Sequence, residues 1–225
     1  MTTQIVIDEF GEWRYRFDAS SSIQILKAKE RFEVLRAAGF LAAGRSAAGQ
    51  VTIARSFDVT AAETVFYPRL VGGPPTVFIR LGQAGRRAVC RSLAWIAPTH
   101  ARKAQHGAFD GAREREPGGE ELLTEWLSPE QRAQFDANRW FDVIGSHTEK
   151  GYRIYDEIPA NVHELAEGRP QVALWFGPAG QLSPGSRMLS QKIALETDEP
   201  ATLVIARRSR IRSDRRNSDI RKRAF

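Results

Sequence analysis

Cys90 stands in AVCRSL between Arg87 and Arg91, and His100 and His106 follow it. Guanidinium neighbours lower a thiol pKa, so a histidine base nearby would make Cys90 a nucleophile. Its apolar flanks favour the other reading, a small side chain in a core. The four histidines, His100, His106, His147 and His163, show no metal-ligand spacing. VHELAE around His163 lacks the second histidine that a zinc-protease helix requires. The chain has no phosphate-cradling glycine loop and no G-x-S-x-G elbow. Asp156 and Glu157 fall in a turn and read as part of a solvated acidic face. The expectation is a non-enzymatic chain with no catalytic residue, no metal and no cofactor.

Charge offers a different chemistry. The net charge of +6 divides into +1 over residues 1–73, +5 over 74–119, −7 over 120–206 and +7 over 207–225. The C-terminal stretch RRSRIRSDRRNSDIRKRAF holds nine basic side chains in nineteen residues: Arg207, Arg208, Arg210, Arg212, Arg215, Arg216, Arg221, Lys222 and Arg223. Such a run releases counterions on meeting phosphates, which gives a salt-sensitive affinity that does not depend on base sequence. Arginine dominates it and suits bidentate phosphate contact. The expected partner is nucleic acid or an acidic protein, with Arg86, Arg87 and Arg91 adding to the same surface. The stretch has no interleaved aromatics, so base stacking is not expected of it. A tail that only aids solubility, or meets the chain's own acidic segment, is the plainer alternative.

The elements that would position these groups fall into two blocks. TQIVIDEF and EWRYRFD alternate in hydrophobicity around Gly11 and predict a hairpin. Ser20 to Ser22 predict a helix start, Ile25, Ala28, Phe32 and Leu35 form one helical stripe, and Gly39 closes it. VTIARSF and ETVFYPRL predict strands, with AAGRSAAGQ as a loop ahead of them. TVFIRLG reads as a strand and AGRRAVCRSLAWIA as a short helix, after which the chain loses periodicity and reads as a linker. In LSPEQRAQF, Ser128, Pro129 and Gln131 predict a capping-box helix start. WFDVIGSHTEKGYRIYDE predicts a hairpin and QVALWFGP a third strand. Ser183-Pro184 opens a helix carried by Met188, Leu189, Ile193 and Leu195, which Glu199-Pro200 should break before ATLVIARR. Trp126, Trp140 and Trp175 have apolar neighbours and are expected in the core.

This order gives an α+β chain: a β-β-α-β-β block over 1–73, a basic linker over 74–119, a small acidic α+β domain over 120–206 and a disordered arginine-rich tail over 207–225. The first block ends in Leu70-Val71-Gly72-Gly73. With its opening QIVIDEFGEWRYRFD and helix core ILKAKERF, it resembles a ubiquitin-like β-grasp module. The resemblance covers about a third of the chain. It implies a β-grasp fold and a di-glycine tail, Gly72 and Gly73, that an activating enzyme or peptidase would handle. Pro74 follows at once and would hinder cleavage there, so a stiff domain exit is the competing reading of the same glycines.

No apolar run reaches the roughly 18 residues of a membrane helix. One cysteine rules out an internal disulfide framework, and Asp8 and Glu9 argue against a secretory signal. The expected setting is cytoplasmic. The expected function is a two-domain adaptor whose basic tail contacts nucleic acid or another polyanion. The alternatives are a ubiquitin-like modifier precursor processed after Gly73, and an accessory protein of a bacterial phage or mobile element.

Overall fold

The computed structural model describes residues 1–72, 113–116 (backbone), 119–156 and 160–211. The chain opens with the expected hairpin, β1 (Thr2–Asp8) and β2 (Gly11–Phe17), in register from Thr2↔Phe17 to Asp8↔Gly11. Helix α1 (Ser22–Ala37) buries Ala28, Arg31, Phe32 and Leu35. Gly39 follows with φ +90°, its N–H donating to Arg36 O. Strands β3 (Phe40–Arg45), β4 (Val51–Ile53), β5 (Glu63–Pro68) and β6 (Leu70–Gly72) come next. With β7 (Arg113–Glu116), the first sheet has the order β4-β3-β5-β1-β2-β7, in which β1 and β5 run parallel.

Period-two alternation sends the side chains of this sheet to two different partners. Val6, Tyr15, Ala42 and Phe66 face α1 and meet Phe32 and Leu35. Ile5, Ile7, Ala43, Val65 and Tyr67 face the other way, into a cluster shared with Leu122, Leu123, Trp126 and Ile193. The sheet is therefore covered on both sides. That explains a strand that was expected as loop: Ala42, Ala43 and Gly44 belong to β3. With covered layers on both faces, small side chains fit there and no polar phase marks the strand.

The second half holds α2 (Gly119–Trp126), α3 (Pro129–Asn138), β8 (Trp140–Ile144), β9 (Gly151–Tyr155), β10 (Val162–Ala166), β11 (Arg169–Pro178), α4 (Pro184–Ile205) and β12 (Arg207–Arg210). The strands form an antiparallel sheet in the order β12-β11-β10-β9-β8. Ser128 caps α3 as expected: its Oγ accepts from Gln131 N, and Gln131 Oε1 accepts from Ser128 N. Ser183 caps α4 by accepting from Ser186 N at 3.2 Å. Helix α4 breaks at Asp198 (φ −149°, ψ 60°) and then resumes through Pro200 to Ile205. The expected break occurs, and ATLVI is helical beyond it.

Two further segments differ from expectation. Arg113–Glu116, expected inside a linker, pairs with β2 from Tyr15↔Arg113 to Glu12↔Glu116. Arg207–Arg210, expected in a disordered tail, pairs with Val172–Trp175 of β11. Both are edge strands whose ladder bonds are made by backbone alone, so charged sequence does not prevent them. The strand expected at TVFIRLG and the helix expected at AGRRAVCRSLAWIA lie outside the described residues.

The described chain is thus α+β, with two sheets and four helices. Polar ties join its halves beside the shared core. Arg14 Nη2 donates to Glu125 Oε2 at 2.9 Å, Arg45 Nη1 to Glu125 O at 2.5 Å, and Ser186 Oγ to Glu12 Oε1 at 3.0 Å. Strand β6 adds a backbone link, pairing Leu70, Val71 and Gly72 with Pro178, Gly177 and Phe176. Among the described residues no helix is long and apolar enough to cross a membrane.

Candidate nucleic-acid interface

Strand β12 forms one edge of the second sheet, and Arg207, Arg208, Ser209 and Arg210 are all exposed on it. Alternation divides its arginines. Arg208 and Arg210 sit opposite Leu174 and Val172, on the sheet face that meets α4. Arg207 and Ser209 sit opposite Trp175 and Ala173, on the other face. Glu164 on β10 neutralises part of this charge, accepting from Arg208 at 2.7 Å and from Lys150 at 2.6 Å. Arg207 and Arg210 have no ion-pair partner among the described residues. Arg212, Arg215, Arg216, Arg221, Lys222 and Arg223 lie outside them.

The outer face is built from positions that alternate with the core. Phe141, Val143, Tyr152, Ile154, Val162, Leu174 and Phe176 point inward. In the opposite phase stand Trp140, Asp142, Arg153, Tyr155, His163 and Trp175, each half-buried. Trp140 lies opposite Tyr155, Asp142 opposite Arg153, Arg153 opposite His163, and Trp175 opposite Arg207. The Arg153 guanidinium lies 3.6 Å from the centre of the Trp140 ring and is held there by Asp142 through bonds of 2.7 and 2.9 Å. That carboxylate also pushes the Arg153 pKa above its ordinary value. The Tyr155 and His163 rings are 4.8 Å apart and tilted by 55°. His163 Nε2 donates to Ala160 O at 3.1 Å, which fixes the imidazole in place.

Trp140 and Trp175 are therefore not core residues, in contrast to Trp126, which is 3% exposed. Their apolar sequence neighbours are partners of the opposite face. The signal was present in the phase: Trp140 and Asp142 are two residues apart, as are Arg153 and Tyr155, so the aromatics travel with the polar set.

Gly72 is placed differently from a free terminus. It pairs with Phe176, and a Cβ built on it would lie 2.5 Å from Ile205 O, so the strand passes too close to the end of α4 for any side chain. Gly73, Arg86, Arg87, Cys90, Arg91, His100, His106 and Glu157 lie outside the described residues. His147 contributes its backbone N–H to Glu199 in the β8–β9 turn, and Asp156 pairs with Arg139 at 2.6 Å. Among the described residues no group of three or more His, Cys, Asp or Glu side chains converges on a metal-sized site.

A cleft of about 500 Å³ lies between the β3–β4 loop and the helices, lined by Arg45, Trp126, Gln131, Lys192 and Glu196. Its cations are matched by its own chain. Arg45 pairs with Glu63, and Lys192 with Glu196 at 2.5 Å. It therefore presents less uncompensated charge than β12. No known protein family, curated protein or solved structure matches the chain.

Proposed function

We propose that this chain is a non-enzymatic adaptor that binds nucleic acid, or a similar polyanion, through the arginines of β12 and the basic run that continues from it. One observation carries the reading: Arg207, Arg208 and Arg210 stand exposed on an edge strand, and only Arg208 of the three is tied to a described carboxylate. The ordered strand sets a fixed starting point for the run of Arg212, Arg215, Arg216, Arg221, Lys222 and Arg223. The N-terminal half serves as a β-grasp-like module in this reading. The strand order β2-β1-β5-β3-β4, with α1 across one face, supports it. The modifier alternative requires Leu70–Gly72 to leave β11 before a peptidase or activating enzyme can take Gly72 and Gly73, so the pairing favours the intact adaptor.

The test is titration of the full chain against a labelled duplex DNA oligonucleotide at several salt concentrations. Six to ten phosphate contacts weaken affinity by roughly 10³–10⁵ between 50 and 200 mM salt. A chain lacking residues 212–225 should lose at least about tenfold in affinity at low salt. Its log–log salt slope should flatten by about five, near 0.9 for each of the six cations removed. Equal affinity and slope for the two chains would end the proposal.

A further inference from the structure

We propose that the outer face of the second sheet is a stacking platform for the bases of a single-stranded nucleic acid, with Trp175 and Trp140 as its anchors. The inference rests on the polyanion reading above and names the form of polyanion that reading leaves open. Trp175, Tyr155 and Trp140 occupy β11, β9 and β8 on one face, and Arg207 lies directly across from Trp175 on β12. Four strand spacings of about 4.8 Å separate β8 from β12, so the platform is roughly 19 Å across. That width holds several stacked nucleotides, and Arg207 marks the side where phosphates enter.

The aromatics are held before any ligand arrives. Arg153 braces Trp140, and Asp142 braces Arg153 in turn. His163 leans on Tyr155 and is itself fixed by Ala160 O. Rings held in this way lose little freedom when a base stacks on them. The inward positions of the same strands fill the shared core, whereas Trp140, Tyr155 and Trp175 are not part of it. The charge of the face matches its occupant. Its one described carboxylate, Asp142, is fully engaged by Arg153, which leaves Arg207 unopposed. Duplex nucleic acid hides its base faces and would meet only the arginines, whereas a single strand would engage both.

The experiment compares three ligands on the full chain by fluorescence anisotropy at low salt: a short single-stranded oligonucleotide, its duplex, and an abasic strand of the same length. Removing a base-stacking aromatic typically weakens binding about 5- to 150-fold. The base-bearing strand should bind at least about tenfold tighter than the abasic strand. Trp175→Ala should remove most of that advantage while leaving abasic binding unchanged, and Trp175→Phe should keep it. Equal affinity of wild type for the abasic and base-bearing strands would overturn the platform, and that comparison needs no variant to fold. Salt-dependent binding that persists in such a result would leave the polyanion reading standing. Loss of binding to all three ligands would remove both.

Discussion

Gly185→Ala is expected to lower stability by about 3 kcal/mol or more. Gly185 lies in the first turn of α4, where that helix crosses the start of α2. A Cβ built there would overlap the Gly119 carbonyl oxygen and come within 2.6 Å of Glu120 N. Both obstacles are backbone, so no side chain can swing aside. Relief requires α2 and α4 to separate, and they share Leu122, Leu123, Met188, Leu189 and Ile193 in the core. Separation would also strain the bond from Ser186 Oγ to buried Glu12. Chemical denaturation measures the effect, with Gly177→Ala as the control. At Gly177 the nearest atoms to a Cβ are 4.0 Å away, and a change under about 1 kcal/mol is expected. A Gly185→Ala variant that unfolds together with wild type would show that the crossing is not as tight as described.

Glu199→Gln is expected to cost about 3 kcal/mol at neutral pH. The break in α4 at Asp198 turns the Glu199 side chain into the β8–β9 turn, where the residue is fully buried. Oε2 accepts from His147 N at 2.9 Å and Thr148 N at 2.7 Å. Oε1 accepts from Thr148 Oγ1 at 2.5 Å and the Tyr152 hydroxyl at 2.6 Å. Burial pushes the carboxyl pKa up, but these four donors outweigh it and hold the value at about 2. A glutamine amide can keep its oxygen on the His147 and Thr148 N–H groups only by turning its N–H₂ toward the Thr148 and Tyr152 hydroxyls, which must then accept instead of donate. It also removes the charge that strengthens all four bonds. The pH dependence follows from the sign of the shift. An unfolded glutamate titrates near 4.3, above the folded value. The stabilisation is therefore complete above about pH 4.5 and is lost as pH falls toward 2. The gap between wild type and Glu199→Gln should narrow over that window in denaturation curves at successive pH values. A constant gap would mean that the carboxylate is not the source.

Short-range features were the legible ones. The capping box at Ser128 depends on residues three apart, and the α1 stripe of Ala28, Phe32 and Leu35 on a single helical period. What was hidden depends on distant partners. Ala42 and Ala43 belong to a strand because α1 covers one side of it and the second half of the chain the other. Arg207–Arg210 are ordered because β11 offers an unpaired edge, which the tail sequence cannot reveal. Of the candidate interface, the arginines were visible as composition. The outward phase of Trp140 and Tyr155 could be read within each strand, but the aromatic row could not, because Trp140, Tyr155 and Trp175 come together only when β8, β9 and β11 align.

The pairing of β6 with β11 also bears on how the chain is made. Gly72 precedes its partner Phe176 by about a hundred residues. At roughly 5 to 20 residues per second, strands β1 to β6 leave the ribosome some 5 to 20 seconds before Phe176 and the core around it exist. During that interval Ile5, Ile7, Val65 and Tyr67, each at most 1% exposed in the finished fold, face solvent together. A nascent chain in that state is a natural client for chaperones and is prone to self-association. A fragment of residues 1–72 should accordingly sediment as oligomers under conditions where the full chain does not.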